Sequence, residues 1–295
     1  MRWRSALLPA LLACAAPCAS QAEDILHTER SLYRQIVVYQ DGSVRCMRFT
    51  RLALARQSCV DLADRPRLVF EYLQMMLGAL YLAPAPRSIL VIGLGGGTLV
   101  DALQRALPDA EIDAVELDPA VVRVARQYFE FRTGPHTRVQ EGDGRVFVKR
   151  ALRAGRRYDL VMLDAYDHEY IPEHMLTREF LEEVKGVLAP RGVLAANTFS
   201  TSRLYDHEST TYAAVFGPFY NLKRRNRVII TENDGLPAGD VLRQNAERLR
   251  PRLASTGIDP EWLLALFDTR VDWRTDARVL TDRYSPSNLL NAGTP

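Results

Sequence analysis

Ile89-Leu90-Val91-Ile92-Gly93-Leu94-Gly95-Gly96-Gly97-Thr98-Leu99 is the stretch on which the fold turns. A run of apolar, partly β-branched residues breaks into four glycines within five positions, and an apolar-periodic segment (Leu99, Leu103, Ala106, Leu107) follows at once. That reads as a buried strand, a tight turn and a helix start, the turn letting backbone approach a ligand where a Cβ would clash. Ile112 to Leu117 then forms a second apolar strand carrying Glu116, twenty-three residues past Gly93, a spacing that suits an acid on ribose hydroxyls. Gly93, Gly95 and Gly97 alternate and no third spaced glycine follows, so the loop is not the G-x-G-x-x-G of a nicotinamide site. A nucleoside without a diphosphate fits it.

Outward from this turn, short apolar strands and amphipathic helices alternate. Asp118 and Pro119 open a helix, Val139 leads into Glu141-Gly142-Asp143-Gly144 and another helix, and Leu160 to Leu163 is a strand ending on Asp164. Thr177 caps a helix closed by Pro190-Arg191-Gly192, and Val193–Phe199 and Arg227–Glu232 read as further strands. Such alternation predicts a parallel sheet covered on both faces. Before it, Ile36–Tyr39, the turn Asp41-Gly42 and Val44–Phe49 read as a β-hairpin, strand-like text runs on to Leu62, and Leu68–Leu82 reads as one buried helix. The expected organisation is a leader over 1–22, an N-terminal hairpin domain over 23–66, an α/β domain over 67–235, and a charged helical appendage with a tail over 236–295.

Composition excludes some classes. With 38 basic against 36 acidic residues the net charge is only +2, and the basic clusters carry no interleaved aromatics, which argues against nucleic acid. Arg2 and Arg4, the apolar Ala6–Ala16 region and the small residues of Ser20-Gln21-Ala22 have the order of a secretory signal peptide, too short to span a bilayer. Leu11-Leu12-Ala13-Cys14 also reads as a lipobox, with lipid on Cys14. The expectation is an exported bacterial protein, periplasmic or held to a membrane as a lipoprotein. Cys46 and Cys59 then form either a cross-strand disulfide or two buried thiols. With neither C-x-x-C nor a histidine pair nearby, no metal is expected.

Glu116, Asp143 and Asp164 fall at the carboxyl ends of successive strands, the edge where open α/β sheets bind ligands. Asp143 suits an adenine amino group or, equally, a helix N-cap. Asp164 and Asp167 read on their own as a loop-start cap with a solvated neighbour. His168, His174 and His207 are candidates for acid–base work or plain surface polarity.

Gly95-Gly-Gly-Thr-Leu99, Val115-Glu-Leu-Asp118, Glu141-Gly-Asp-Gly144 and Leu163-Asp-Ala-Tyr-Asp167 together resemble the spermidine synthases, the aminopropyltransferases of polyamine synthesis. Ile171-Pro172, Leu176-Thr-Arg-Glu-Phe180, the N-terminal hairpin and Leu280-Thr-Asp-Arg-Tyr-Ser-Pro286 extend the likeness, which is strongest to the bacterial spermidine-synthase-like branch. The resemblance implies a seven-stranded, methyltransferase-type (Rossmann-like) doubly wound sheet behind a small β-domain, with a homodimer as the usual assembly. It implies decarboxylated S-adenosylmethionine as co-substrate and a small-molecule amine as partner. Gly93, Gly95, Gly97, Glu116, Asp143 and Gly144 would hold the adenosyl group, Glu116 on the ribose and Asp143 with Gly144 at the adenine. Asp164 would be the catalytic base, and Asp167 would bind the amine, with Tyr166 and Tyr72 lining its pocket.

The chain departs from the family on the amine side. The glycine loop lacks its usual aspartate, Tyr72-Leu73-Gln74 stands where Tyr-His-Glu is usual, and His168 replaces the proline after the second aspartate. Three functions therefore stay open: aminopropyl transfer to a polyamine such as putrescine, methyl transfer or cleavage of intact S-adenosylmethionine, and non-catalytic nucleoside or polyamine binding.

Overall fold

The inner strands of the central sheet are largely apolar on both sides because both of their faces are covered. In the computed structural model, which describes residues 23–50, 56–165 and 172–285, Ile89 and Val91 of strand β5 (Ser88–Ile92) point into one core and Leu90 and Ile92 into the other. The seven strands are completed by β6 (Glu111–Glu116), β7 (Thr137–Glu141), β8 (Tyr158–Leu163), β9 (Leu188–Phe199), β10 (Tyr220–Lys223) and β11 (Asn226–Glu232). Their order is β10-β11-β9-β8-β5-β6-β7. Strands β5 to β9 pair in parallel, whereas β11 runs antiparallel between β9 and β10. The expected seven-stranded, methyltransferase-type sheet is present; its one reversed strand enters by a hairpin after the four-residue β10, too short and polar to stand out in the sequence.

Helices α1 (Glu71–Leu77), α2 (Thr98–Ala106) and α7 (Gly239–Leu253) contribute to one core; α4 (Gly144–Arg153), α5 (Arg178–Val187) and α6 (Tyr205–Phe216) contribute to the other. The helix expected over Leu68–Leu82 is shorter: α1 gives way at Gly78 to a 3₁₀ turn, Gly78–Tyr81. A side chain at Gly78 would press on Phe267 at 3.2 Å. α7 is charged outside, but Leu242, Ala246, Leu249 and Leu253 enter the core, and Asn245 donates to the Tyr81 carbonyl at 2.8 Å. The short α8 (Pro260–Leu264), capped by Asp259, packs against α7. Among the described residues no helix is long and apolar enough to cross a membrane. The leader, including Cys14, lies outside the described residues.

The N-terminal sheet has four antiparallel strands in sequence order: β1 (Asp24–Arg30), β2 (Gln35–Asp41), β3 (Val44–Arg48) and β4 (Ser58–Asp61). The Asp41-Gly42 hairpin forms as its sequence predicts, with Gly42 at φ +59°. β1 was not legible, because as an exposed edge strand it needs no apolar alternation. One face, with Ile36, Val38, Met47 and Val60, lies on helix α3 (Pro119–Tyr128). The other holds Cys46 and Cys59, directly opposed in the β3–β4 ladder and joined as a disulfide, so the two-thiol alternative falls. The bridge closes a loop of sequence separation 13, worth about 3 kcal/mol on chain-entropy grounds. Reduction, or Cys46→Ser with Cys59→Ser, is expected to lower unfolding free energy by about that amount; urea titration with and without reductant checks it.

Candidate active site

A cavity of about 940 Å³ opens at the carboxyl ends of β5, β6 and β8 and is walled on one side by the N-terminal sheet. Its floor is the glycine turn. Gly93 has φ +100°, and a Cβ there would lie 2.1 Å from the carbonyl oxygen of Asp164, so the turn and the strand end carrying that aspartate can meet only at a glycine. Gly97, at φ +82°, caps α2 with its Cα hydrogens against the Phe131 ring. Gly144 is hemmed instead by Ile92, 2.4 Å from where its Cβ would sit, so this glycine brings α4 close to the sheet. Gly95, at φ +54°, faces Ser58 of β4.

Glu116 is buried at the end of β6. Its Oε2 accepts from the Leu94 amide at 2.9 Å and its Oε1 from the Asp118 amide at 3.0 Å, which fixes the carboxylate between the glycine turn and α3. Burial pushes its pKa up, against the opposing pull of those amides. Asp143 is the N-cap of α4: Oδ1 accepts from the Val146 amide at 2.8 Å. Its Oδ2 lies 3.0 Å from His174 Nε2, and that contact above all holds its pKa below the usual range. Of the three histidines singled out by sequence, His174 lines the cavity; His207 Nδ1 meets the Arg278 carbonyl instead, and His168 lies outside the described residues.

Asp164 follows β8 and its amide donates to the Ile92 carbonyl at 2.7 Å, which locks it beside the glycine turn. Asn197 Nδ2 donates to Oδ1 at 2.9 Å and the Tyr72 hydroxyl to Oδ2 at 3.3 Å. Burial outweighs both bonds and pushes the Asp164 pKa up to about 7. The Tyr72 hydroxyl, buried beside that carboxyl, is raised well above its ordinary value. Tyr72, Asp164, Glu116, Asp143 and the glycine turn therefore share one cavity. Asp167 and Tyr166 lie outside the described residues. Among the described residues no cluster could hold a metal ion.

Sequence reasoning missed the residues brought in from elsewhere. Asn197 was marked only by being polar within the apolar strand Val193–Phe199. Ser58, whose Oγ accepts from the Gly96 amide at 2.9 Å, and Gln57 and Arg34, which line the cavity from the N-terminal sheet, carry no local signal.

The spermine/spermidine synthase domain matches residues 70–219. A polyamine aminopropyltransferase of Vibrio vulnificus is 46% identical over 292 residues, covering 97% of this chain and 96% of that protein. A probable spermidine synthase from Corynebacterium glutamicum shares the fold at a TM-score of 0.64, with 18% identity over 86% of this chain and 98% of that one. Human methyltransferase-like protein 13 in complex with SAH superimposes at a TM-score of 0.58, with 27% identity, covering 66% of this chain and 98% of that one. The chain belongs to the spermine/spermidine synthase family, the family of the polyamine aminopropyltransferases.

Proposed function

We propose that the chain transfers an aminopropyl group from decarboxylated S-adenosylmethionine to a polyamine such as putrescine, with Asp164 as the base. The observation that carries the reading is Asp164 itself: a buried carboxylate on the cavity floor, oriented by Asn197 and Tyr72, with a pKa of about 7. The reaction is an in-line displacement. The amine nitrogen forms a bond to the carbon next to sulfur, the C–S bond breaks, and its electron pair stays on sulfur to give neutral 5′-methylthioadenosine. The amine arrives protonated near neutral pH and cannot attack until it loses that proton. A carboxylate poised near the working pH accepts it most effectively. Glu116 keeps acceptor capacity beyond its bonds to the Leu94 and Asp118 amides, which supports a role for it on the ribose hydroxyls. The cap Asp143, turned by His174 toward the same cavity, marks the adenine end.

Because the deprotonated form acts, kcat/KM is expected to rise with pH and reach half its plateau near pH 7. Initial rates across that range check this; a flat profile would count against Asp164 as base.

A second reading rests on Arg34. Its Nε is buried without a hydrogen-bond partner at the cavity wall, and Arg56 and Arg225 line the same space. With no aspartate in the glycine loop, these cations suit the carboxylate of intact S-adenosylmethionine better than a bare aminopropyl ammonium. Incubation with putrescine and decarboxylated S-adenosylmethionine, and separately with S-adenosylmethionine, separates the readings by mass spectrometry. Spermidine supports the first. A methylated product, or methylthioadenosine without polyamine, supports the second, and tight binding without product leaves a binding protein.

The leader and the Cys46–Cys59 disulfide support a proposal of export, with a mature chain beginning near Glu23 or at a lipidated Cys14. Fractionation with N-terminal sequencing tests it; a cytosolic chain retaining Met1 overturns it.

A further inference from the structure

Arg145 sits beside Gly144 in the first turn of α4, where the helix dipole disfavours a cation. It is nevertheless 7% exposed. All five of its N–H donors are used. Two go bidentate to Glu183 at 2.9 Å, two to Asp282 at 2.7 and 2.8 Å, and the fifth to the His174 carbonyl at 3.0 Å. Lysine could not make this fork. A pair that served stability alone has no reason to stand against a helix dipole, and buried pairs add little net stability in any case.

What the fork does is join three distant pieces of chain. Glu183 belongs to α5, His174 precedes it, and Asp282 comes from the C-terminal tail, which has no helix or long strand among its described residues. The described part of the tail is tied down at several points. Leu280 is fully buried, its amide donates to Thr211 Oγ1 at 2.9 Å, and its carbonyl accepts from the Arg178 amide at 2.8 Å. Thr177 Oγ1 donates to Asp282 at 2.7 Å, and Ser285 Oγ to the Glu173 carbonyl at 3.2 Å. The residue whose carbonyl Arg145 holds is the same residue whose ring meets Asp143.

The geometry points to the C-terminal tail as a strap for the adenosyl end of the cavity: Asp282, through Arg145, fixes the His174 backbone, and the His174 ring in turn sets Asp143. Asp282 and Arg145 are positioning residues, acting through His174 rather than on a ligand. The inference rests on the nucleoside reading of the cavity for its binding consequence, but not for the strap itself.

The test uses the full chain and 5′-methylthioadenosine as probe in a double-mutant cycle. Asp282→Asn is expected to raise Kd for the nucleoside on the order of tenfold, the size of a typical coupling between linked sites. In a His174→Ala background the same change should have little further effect, because the connecting ring is gone. Should Asp282→Asn fail to fold, Thr177→Val removes the hydroxyl bond to Asp282 together with the α5 cap on the Phe180 amide, and should shift Kd in the same direction by less. Amide exchange over 172–177 in the unliganded chain reads the strap separately and should speed up in Asp282→Asn. Lowered thermal stability with unchanged Kd and unchanged exchange would overturn the proposal, as would equal Kd effects in both backgrounds. Faster exchange in a chain that binds no nucleoside keeps the strap and removes the nucleoside reading.

Discussion

Asp164→Asn is expected to lower turnover by about 10²–10⁴-fold, the usual contribution of a positioned base, while nucleoside affinity stays near that of the parent. Asparagine keeps the shape: its Oδ1 can still accept from Asn197, and its amide can donate to the Tyr72 oxygen. Only the capacity to take a proton is lost. Stability should move the other way. Burial raises the Asp164 pKa above its unfolded value, so the folded chain holds a proton there that the unfolded chain has released. That stabilisation is complete below the unfolded pKa near 4 and is lost as pH rises through about 7. Above pH 7 the parent buries a charge that the variant lacks, and Asp164→Asn should be more stable by something on the order of 1–4 kcal/mol. Single-turnover rates, nucleoside calorimetry and denaturation at mildly alkaline pH test the three parts. Parent-like turnover would remove Asp164 as base, and equal loss of binding would recast it as a nucleoside ligand.

Gly93→Ala should be the most damaging methyl group in the molecule. The new carbon would fall 2.1 Å from the Asp164 carbonyl oxygen and 2.5 Å from its carbon, at a φ of +100° that side chains rarely adopt. Neither partner can step aside, since the Asp164 amide is bonded to Ile92 and the Gly93 amide to Val115. A loss above about 4 kcal/mol, or no soluble protein, is expected. Gly142→Ala is the internal control: its φ of +149° strains a side chain, but nothing lies within 4 Å. It should cost about 1–3 kcal/mol. Denaturant unfolding of the two variants side by side decides it; comparable stabilities would mean that the close approach is not what Gly93 is for.

What could be read from sequence was what announces itself locally. Gly93, Glu116 and Asp164 stand at the ends of apolar strands, and one sheet edge collects them whatever the rest of the chain does. Thr177 and Asp118 were legible as caps for the same reason, and both cap as expected. Asp143 was ambiguous because a cap and a ligand-facing carboxylate need the same place at a helix start; the cap is realised, and the cavity still reaches it. Residues that meet across the molecule left no trace. Ser58 touches the glycine turn only because the N-terminal sheet docks on α3, and Arg145 finds Asp282 across 137 positions of chain. The reversed strand β11 was read as a strand but not as antiparallel, since direction is a property of the connection and not of the residues.

The strand order also sets a timetable for assembly. β2 and β3 pair across a tight turn, and Cys46 and Cys59 are separated by only 13 positions, so the N-terminal sheet can close early and cheaply in chain entropy. β5 has one neighbour, β6, soon after it, but its other neighbour is β8, with Ile89 beside Leu160. That pairing waits on the closure of a long crossover, the slow class of event in folding. Asp164 reaches the glycine turn through the same pairing, by its bond to Ile92. A nascent or refolding chain would therefore pass through a stage with an ordered, bridged N-terminal sheet and no pocket, and nucleoside binding would be among the last properties it acquires.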